Sequence, residues 1–292
     1  MAQFLDTVPV SCPLCRTERP VAFYQENGYR YWRCRGCRLL FLWPQPDSTF
    51  LEEHYQAYLP EAPELVHRWD EETAPVLDSA ADRLQRLLPT GARVLDVGCG
   101  FGSFLVRMQA KGFAVEGVEL SRKAAAQARE RTKATIHGSP IERIRLERTF
   151  QAITMFYVIE HLRQPWKTLA ALGSKLADGG VLLLRYPNTT PLLQLSRPLA
   201  RRLRLMQAPS HLFDFSGTSM PYLLASAGFA SMETRLDSNT RPSHPASRGL
   251  ARASEALGSS LSRMTGHRFL LPGVSRTTLA SKAADRFPIR LL

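Results

Sequence analysis

Asp96, Gly98, Gly100 and Gly102 stand in the stretch "RVLDVGCGFGSFLVRM", Arg93 to Met108, between an apolar run and an amphipathic one. An acid ahead of a turn so bare of side chains suits a ligand that must touch the backbone. A dinucleotide turn, G-x-G-x-x-G, would need a third glycine at 103, where the chain has Ser103. The closer D-x-G-x-G-x-G spacing fits a ligand whose amino-acid end is cradled by the turn, rather than a pyrophosphate resting on a helix. Cys99 then reads as a small residue of the turn and not as a nucleophile. Glu119 follows about 20 residues on, at the end of the next apolar strand, where a carboxylate can accept two hydrogen bonds from a ribose diol. An unphosphorylated ribose belongs to NAD or to S-adenosylmethionine, and the glycine spacing favours the second.

A second group of residues has the types and spacing of metal ligands, against the alternatives of disulfides or buried free thiols. Cys12 and Cys15, then Cys34 and Cys37, form C-x2-C-x18-C-x2-C. That spacing is typical of a four-thiolate zinc site, each pair offering two sulfurs from one tight turn. With four protein ligands and no open position, the zinc is expected to be structural. The start of the chain lacks a charged segment followed by an apolar core, so a secretory signal and disulfides are not expected and a cytoplasmic location is.

These residues need a frame to hold them. The chain of 292 residues, 44% hydrophobic, has material for one α/β domain and an accessory module. Residues 10–43 read as a zinc ribbon, with strand-like alternation in "RPVAFYQENGYRYWRC" around a turn at Asn27-Gly28. Residues 44–72 form a linker and bridging segment, and a helix is expected from about Thr73 to Leu88. Strands and helices then alternate: "ARVLDVG", "SFLVRMQAKG", "FAVEGVEL", "SRKAAAQARERT" with Ser121 as cap, "ATIHG", "FQAITMFYV", "PWKTLAALGSKLADGG" as a helix ended by two glycines, and "VLLLRYP". Continuous apolar strands in β-α units imply a mostly parallel, doubly wound sheet covered on both faces, a Rossmann-like domain over 73–236. Its ligands sit at the carboxyl ends of the strands, where the glycine turn falls. Residues 189–216 read as an insertion, and "TSMPYLLASAGFASMETRL" as a helix and a strand.

The net charge is +12, and from Thr190 to Leu292 there are 14 Arg/Lys against 5 Asp/Glu, or +9. Residues 237–292 form a basic extension in which Leu250, Leu257, Leu261 and Met264, flanked by Arg248, Arg252 and Arg263, could make an amphipathic helix. Such a helix can touch an anionic membrane, but Gly249 and Gly258 weaken it and packing on the domain is expected. A basic surface also leaves nucleic acid open as a partner, though not the favoured one.

The glycine turn resembles motif I of the class I S-adenosylmethionine-dependent methyltransferases. More narrowly, the chain is similar to bacterial methyltransferases with an N-terminal zinc ribbon, through the cysteine pairs, "LLFLWPQP", "EEHYQAYLP", "FYVIEHLRQP", "LADGG", "RYPN" and "HLFDFS", over roughly residues 10 to 236. The resemblance implies S-adenosylmethionine as donor and a small-molecule or saccharide-type acceptor. It places Asp96, Gly98, Gly100 and Gly102 on the methionine side, Glu119 on the ribose and Phe156 beneath the cofactor. Relatives usually have an aspartate for adenine after the third strand; here Ser139 is followed by Pro140, which has no N–H, so adenine recognition is expected to be either weaker or shifted, with Ile141 as the candidate for the shifted contact. In similar ubiquinone-biosynthesis O-methyltransferases a glutamate at the Tyr157 position joins a Glu-His pair like Glu160-His161 in binding a divalent cation. Tyr157 removes that carboxylate, so a catalytic cation is not expected.

Methyl transfer from a sulfonium needs alignment, and a base where the acceptor is a hydroxyl. His161 and His211 are the candidate bases, each in a motif at the functional end of the sheet, and Tyr157 is a candidate for the acceptor pocket. Two other readings remain at this stage: an RNA methyltransferase gripping phosphates with ribbon and tail, and a non-catalytic scaffold suggested by Ser139-Pro140 and Tyr157. Intact cofactor glycines argue against the scaffold.

Overall fold

The computed structural model describes residues 7–56, 59–60, 62–195, 204–236 and 275–282, together with residues 240, 260 and 264. Most of the amphipathic stretch from Leu250 to Met264 lies outside the described residues.

The ribbon is built on three short strands, β1 (Val21–Glu26), β2 (Tyr29–Arg33) and β3 (Leu40–Leu42). Asn27 and Gly28, both at positive φ, make the tight turn between β1 and β2. This sheet does not stop at residue 43. Its fourth strand, antiparallel to β3, comes from far along the chain, at Phe213–Asp214. We number that strand β9, after the strands of the main sheet.

The main sheet starts with β4 (Arg93–Val97), β5 (Ala114–Val118), β6 (Thr135–His137), β7 (Phe150–Phe156) and β8 (Leu176–Tyr186). It is completed by β10 (Phe229–Arg235) and β11 (Arg276–Lys282), in the order β10-β11-β8-β7-β4-β5-β6. From β8 to β6 all neighbours are parallel, and β11 is antiparallel to both of its neighbours. The chain leaves β4 in one direction through β5 and β6 and returns on its other side as β7. The crevice between β4 and β7 is therefore the switch point, where such sheets bind ligands.

The helices are α1 (Ser48–Gln56), α2 (Pro63–Leu87), α3 (Ser103–Ala110), α4 (Arg122–Thr132), α5 (Pro165–Lys175), α6 (Thr190–Leu195) and α7 (Ser219–Ser226). One face of the sheet packs Val94, Ala152 and Leu183 against Leu77 and Leu84 of α2 and Phe104 and Met108 of α3. The other face carries Leu182, Leu184 and Tyr186 into a cluster that includes Leu40, Phe41 and Phe213 of the ribbon sheet. Ribbon and domain thus share one core.

Three expectations are corrected. The long helix begins at Pro63, ten residues before Thr73, with Pro63 in its first turn and Pro75 inside it. The segment 176–180, "LADGG", belongs to the strand and not to the preceding helix, because Leu176 already pairs with Phe150 before the register shifts. The basic extension contains a strand in the interior of the sheet, since β11 lies between β8 and β10.

Candidate active site

The glycine turn is shaped from both sides. Gly98 and Cys99 donate their N–H groups to the carbonyl of Val118, at 2.7 and 3.0 Å, which folds the end of β4 over β5. Gly98 has a φ of 76°, and a Cβ there would lie 2.4 Å from Cγ2 of Val158, in the turn after β7. Gly102 opens α3 at a φ of 78°, its missing Cβ leaving room for Ala128 and Thr132 of α4 at 3.1 to 3.3 Å. These glycines therefore serve the close approach of chain to chain as well as that of a ligand. Alanine at 98 should combine left-handed strain with a clash, costing about 1–3 kcal/mol and lowering S-adenosylhomocysteine affinity about tenfold. The double variant Gly98→Ala/Val158→Ala should recover part of that affinity. Calorimetry on the two variants checks this, and equal losses would mean that Val158 is not the obstacle.

Asp96 is buried at the end of β4 and accepts a hydrogen bond from Thr154 Oγ1 of β7 at 2.7 Å. Burial pushes its carboxyl up to about 7, against the Thr154 hydrogen bond and with a smaller push from the charge of Glu119. Glu119 faces the same turn: its Oε2 accepts from Gly100 N at 2.9 Å and its Oε1 from Ser121 N at 2.7 Å. Each oxygen retains a further lone pair for a ribose hydroxyl. Burial also raises Glu119. Cys99 points its sulfur at the space left by Gly117, where a Cβ would lie 2.7 Å away. Burial, then the charges of Asp96 and Glu119, raise its thiol, which makes it a poor nucleophile.

Around the crevice, Gln56 at the end of α1 donates to the carbonyl of Leu120 at 2.8 Å and accepts from Arg122 N at 3.2 Å, holding α1 over the β5–α4 connection. Ser139 is exposed, and Ile141, in a 3-10 turn at Ile141–Arg143, is buried in the core. Phe156 ends β7 with its ring against Phe104 of α3, 4.8 Å between centroids.

The turn after β7 places the remaining candidates in two directions. Tyr157, at a φ of 58°, swings toward β8 and β11: its hydroxyl accepts from Arg185 Nε at 2.8 Å and donates to Ser275 Oγ at 3.3 Å. Glu160, His161 and His211 form a separate group. The two imidazoles meet edge to face at 4.8 Å between centroids. Side-chain atoms of all three that could ligate a metal lie within 4.8 Å of one another. His161 donates its Nδ1–H to the carbonyl of Ser210 at 2.9 Å, which makes Nε2 its lone-pair nitrogen. Burial lowers His161 to about 4 and His211 to about 3, so both rings are neutral near pH 7. Burial raises Glu160 to about 8. Neither Glu160 oxygen, nor Nδ1 of His211, has a hydrogen-bond partner among the described residues.

That donor set bears on the cation that the loss of a carboxylate at 157 argued against. Tyr157 is indeed turned to Arg185, but His211, read from the sequence only as a base, supplies a third donor beside Glu160 and His161. Two imidazoles and a carboxylate fit a divalent cation of the zinc type.

Sequence reasoning missed the supports of this cluster. Tyr31 of the ribbon donates to the carbonyl of His211 at 2.7 Å, and Tyr55 of α1 donates to the carbonyls of His161 and Ser210 at 3.1 and 3.3 Å. His54, in the "EEHYQAYLP" segment but given no role from the sequence, hydrogen-bonds Ser210 Oγ through Nε2 at 2.7 Å. The only signal available was the tyrosine-rich segment at 54–58.

In the ribbon, Cys12 and Cys37 have their sulfurs 3.7 Å apart, and Cys15 and Cys34 theirs 3.4 Å apart. Tetrahedral Zn–S bonds of about 2.3 Å put neighbouring sulfurs roughly 3.8 Å apart. The four cysteines are not disulfide-bonded and fit a zinc ion.

Comparison with known proteins places this geometry. A family described as "Methyltransferase domain" matches residues 69–234, more than half of the chain. The ubiquinone biosynthesis O-methyltransferase of Dechloromonas aromatica is 29% identical over 184 residues, which cover 58% of this chain and 79% of the relative. The enzyme of the same description from Xanthomonas campestris is 32% identical over 165 residues, 51% of this chain and 67% of the relative. Among solved structures, a SAM-dependent methyltransferase of Thermotoga maritima superposes with a TM-score of 0.53 at 18% identity, covering 80% of this chain and 100% of that one. Magnesium protoporphyrin IX methyltransferase of Synechocystis, solved with bound S-adenosylhomocysteine, gives 0.52 at 15% identity, covering 82% and 100%. At these identities the two structures speak for the fold.

Proposed function

Because the chain belongs to the family of S-adenosylmethionine-dependent methyltransferases, we propose that it methylates a hydroxyl, or a carbon, of a small-molecule or saccharide-type acceptor. The observation that carries this reading is the join between the cofactor turn and the histidine cluster. Val158 packs on Gly98, and the carbonyl of Val158 accepts from His161 N at 2.9 Å. The turn that would hold the methyl donor and the turn that carries the proton acceptor are therefore in direct contact.

In the proposed reaction the acceptor oxygen attacks the sulfonium methyl carbon, the S–CH3 bond breaks with its electrons kept by sulfur, and S-adenosylhomocysteine results. The hydroxyl proton passes to a neutral imidazole of His161 or His211. Asp96 and the glycine turn orient the methionine end, Glu119 the ribose, and Ser139 and Ile141 border the adenine. Tyr157 is held away from the histidine pair by Arg185 and is left without a direct role in this reading. A divalent cation, where bound, would be held by Glu160, His161 and His211 and would take the place of the imidazole base, since a coordinated ring nitrogen accepts no proton; it would supply Lewis acidity that favours ionisation of the acceptor hydroxyl. The four cysteines hold a structural zinc, and thiolates kept reduced for it suit a cytoplasmic location. Among the described residues no helix is long and apolar enough to cross a membrane.

The experiment is transfer of labelled methyl from S-adenosylmethionine to a panel of catechols, phenols, hexoses and nucleotide sugars. Label is expected in one acceptor class. His161→Asn should lower the rate about 10²–10⁴-fold while S-adenosylhomocysteine still binds normally. Transfer to no acceptor would overturn the proposed acceptor class, and an unimpaired His161→Asn enzyme would remove His161 from its role.

A further inference from the structure

Arg276, the first residue of β11, is nine-tenths buried, and its Nε and Nη1 have no hydrogen-bond partner among the described residues. It pairs in the ladder with Tyr186, the last residue of β8, at the end of the sheet where the parallel strands finish. A guanidinium cannot shed its proton, so a buried one without an acceptor is costly to maintain.

Asp214 of β9, the buried acid of the neighbouring sheet, does not relieve it. Its oxygens are taken by Thr189 N and Thr190 N, each at 2.8 Å, and by the hydroxyl of Thr190. On the opposite face of the same strands, Arg185 adds a second buried cation that donates to Tyr157 and to Thr277 Oγ1. Asn188, two residues beyond Tyr186, is buried with its Nδ2 likewise without a partner. Among the described residues, the end of β8 thus gathers buried donors, Arg276 and Asn188, that have no acceptor.

The guanidinium is also close to the surface. A Cβ on Gly217 would lie 3.2 Å from Arg276 Nη1, and Gly217 and Thr218 form an exposed turn. That turn is fixed from its far side, since Thr218 Oγ1 donates to the carbonyl of Cys37 in the ribbon at 2.9 Å. The ribbon's second cysteine pair therefore positions the turn that lies over Arg276.

We propose that Arg276 anchors a subsite beneath the 216–218 turn for an anionic oxygen group, a carboxylate or a phosphate, of the methyl acceptor. The guanidinium fork is matched to such groups and recovers on binding what its burial costs. Assignment of this group to the acceptor rests on the methyltransferase reading. β11 lies three strands from β4, about 14 Å at about 4.8 Å per strand. The acceptor's anionic end is thus remote from the methylated atom.

The test titrates inorganic phosphate and, separately, acetate into the zinc-loaded full chain saturated with S-adenosylhomocysteine, at constant ionic strength. One of the two is expected to bind saturably, the identity of that one telling phosphate from carboxylate. Arg276→Gln should weaken this binding at least tenfold. Gly217→Asp, which builds a carboxylate beside Nη1, should abolish it even if Arg276→Gln folds poorly, whereas Gly217→Ala should weaken it less. Absence of saturable binding of either anion, or binding unchanged by Gly217→Asp, would overturn the subsite. S-adenosylhomocysteine affinity is read in the same samples, so failure of the methyltransferase reading is seen separately: the cofactor product would not bind, whatever the anions do.

Discussion

Cys37→Ser is expected to lose the ribbon's zinc and to lower the melting temperature by about 10 °C or more. Structural zinc sites contribute their binding free energy directly to folding, and for domains of this size each kcal/mol is worth about 2–4 °C. The effect should reach well beyond residues 10–43. β3 pairs with β9, Tyr31 holds the carbonyl of His211, and Thr218 leans on the carbonyl of Cys37. Loss of zinc should therefore disorder the His211 segment and abolish methyl transfer, while the glycine turn, held by the Gly98 and Cys99 N–H bonds to the carbonyl of Val118, keeps part of its cofactor affinity. Differential scanning calorimetry with zinc analysis checks the first statement, and cofactor titration of the variant the second. An unchanged melting temperature would mean that the ribbon's own apolar packing suffices without metal.

The second large effect is a pH dependence. Burial holds the Asp96 carboxyl at about 7 in the ligand-free protein, so it is mostly protonated at pH 6 and mostly ionised at pH 8. Because this value lies above that of an unfolded aspartate, its burial favours the fold least at high pH: stability from this group falls as pH rises from about 4 through 7. Ligand binding has the opposite sign. The cofactor product carries an ammonium group, which favours the carboxylate and draws a proton out of the site. S-adenosylhomocysteine affinity should therefore rise about fivefold from pH 6 to pH 7, about tenfold in all by pH 8, and flatten above that. Burial raises Glu119, the other carboxylate of the turn, in the same direction. Asp96→Asn should bind more weakly and lose most of the dependence. A flat profile in the wild type would show that Asp96 does not change protonation on binding.

Local signals made the cofactor turn and the zinc ligands legible. Gly98 to Gly102 announce a bare turn after an apolar strand, and the cysteine pairs carry their own spacing. The parallel strands from Arg93 to Phe156 were legible for the same reason, each being a continuous apolar run between helices. What escaped depended on distant partners. "RTTLASK" is too short and too polar to stand out in a Ser- and Arg-rich tail, yet β8 and β10 make a strand of it. Phe213–Asp214 becomes a strand only because β3 offers an open edge. "LADGG" carries two glycines that mimic a helix stop, while the ladder with β7 decides otherwise. His161 and His211 were chosen from separate motifs, but their meeting, with Glu160 between them and Tyr55 and His54 behind, depends on how the insertion folds back. Arg276 gave no sequence signal beyond its charge, because its burial is set by pairing with Tyr186 of β8, distant in the chain.

The most direct measurement is calorimetric titration of S-adenosylhomocysteine into the zinc-loaded full chain at pH 8, with Asp96→Ala alongside. The account predicts one site of micromolar affinity in the wild type that is lost in the variant. A folded wild-type protein that gives no binding heat at any temperature tried, or a variant that binds equally well, would contradict the placement of the cofactor in the turn of Asp96, Gly98, Gly100 and Gly102.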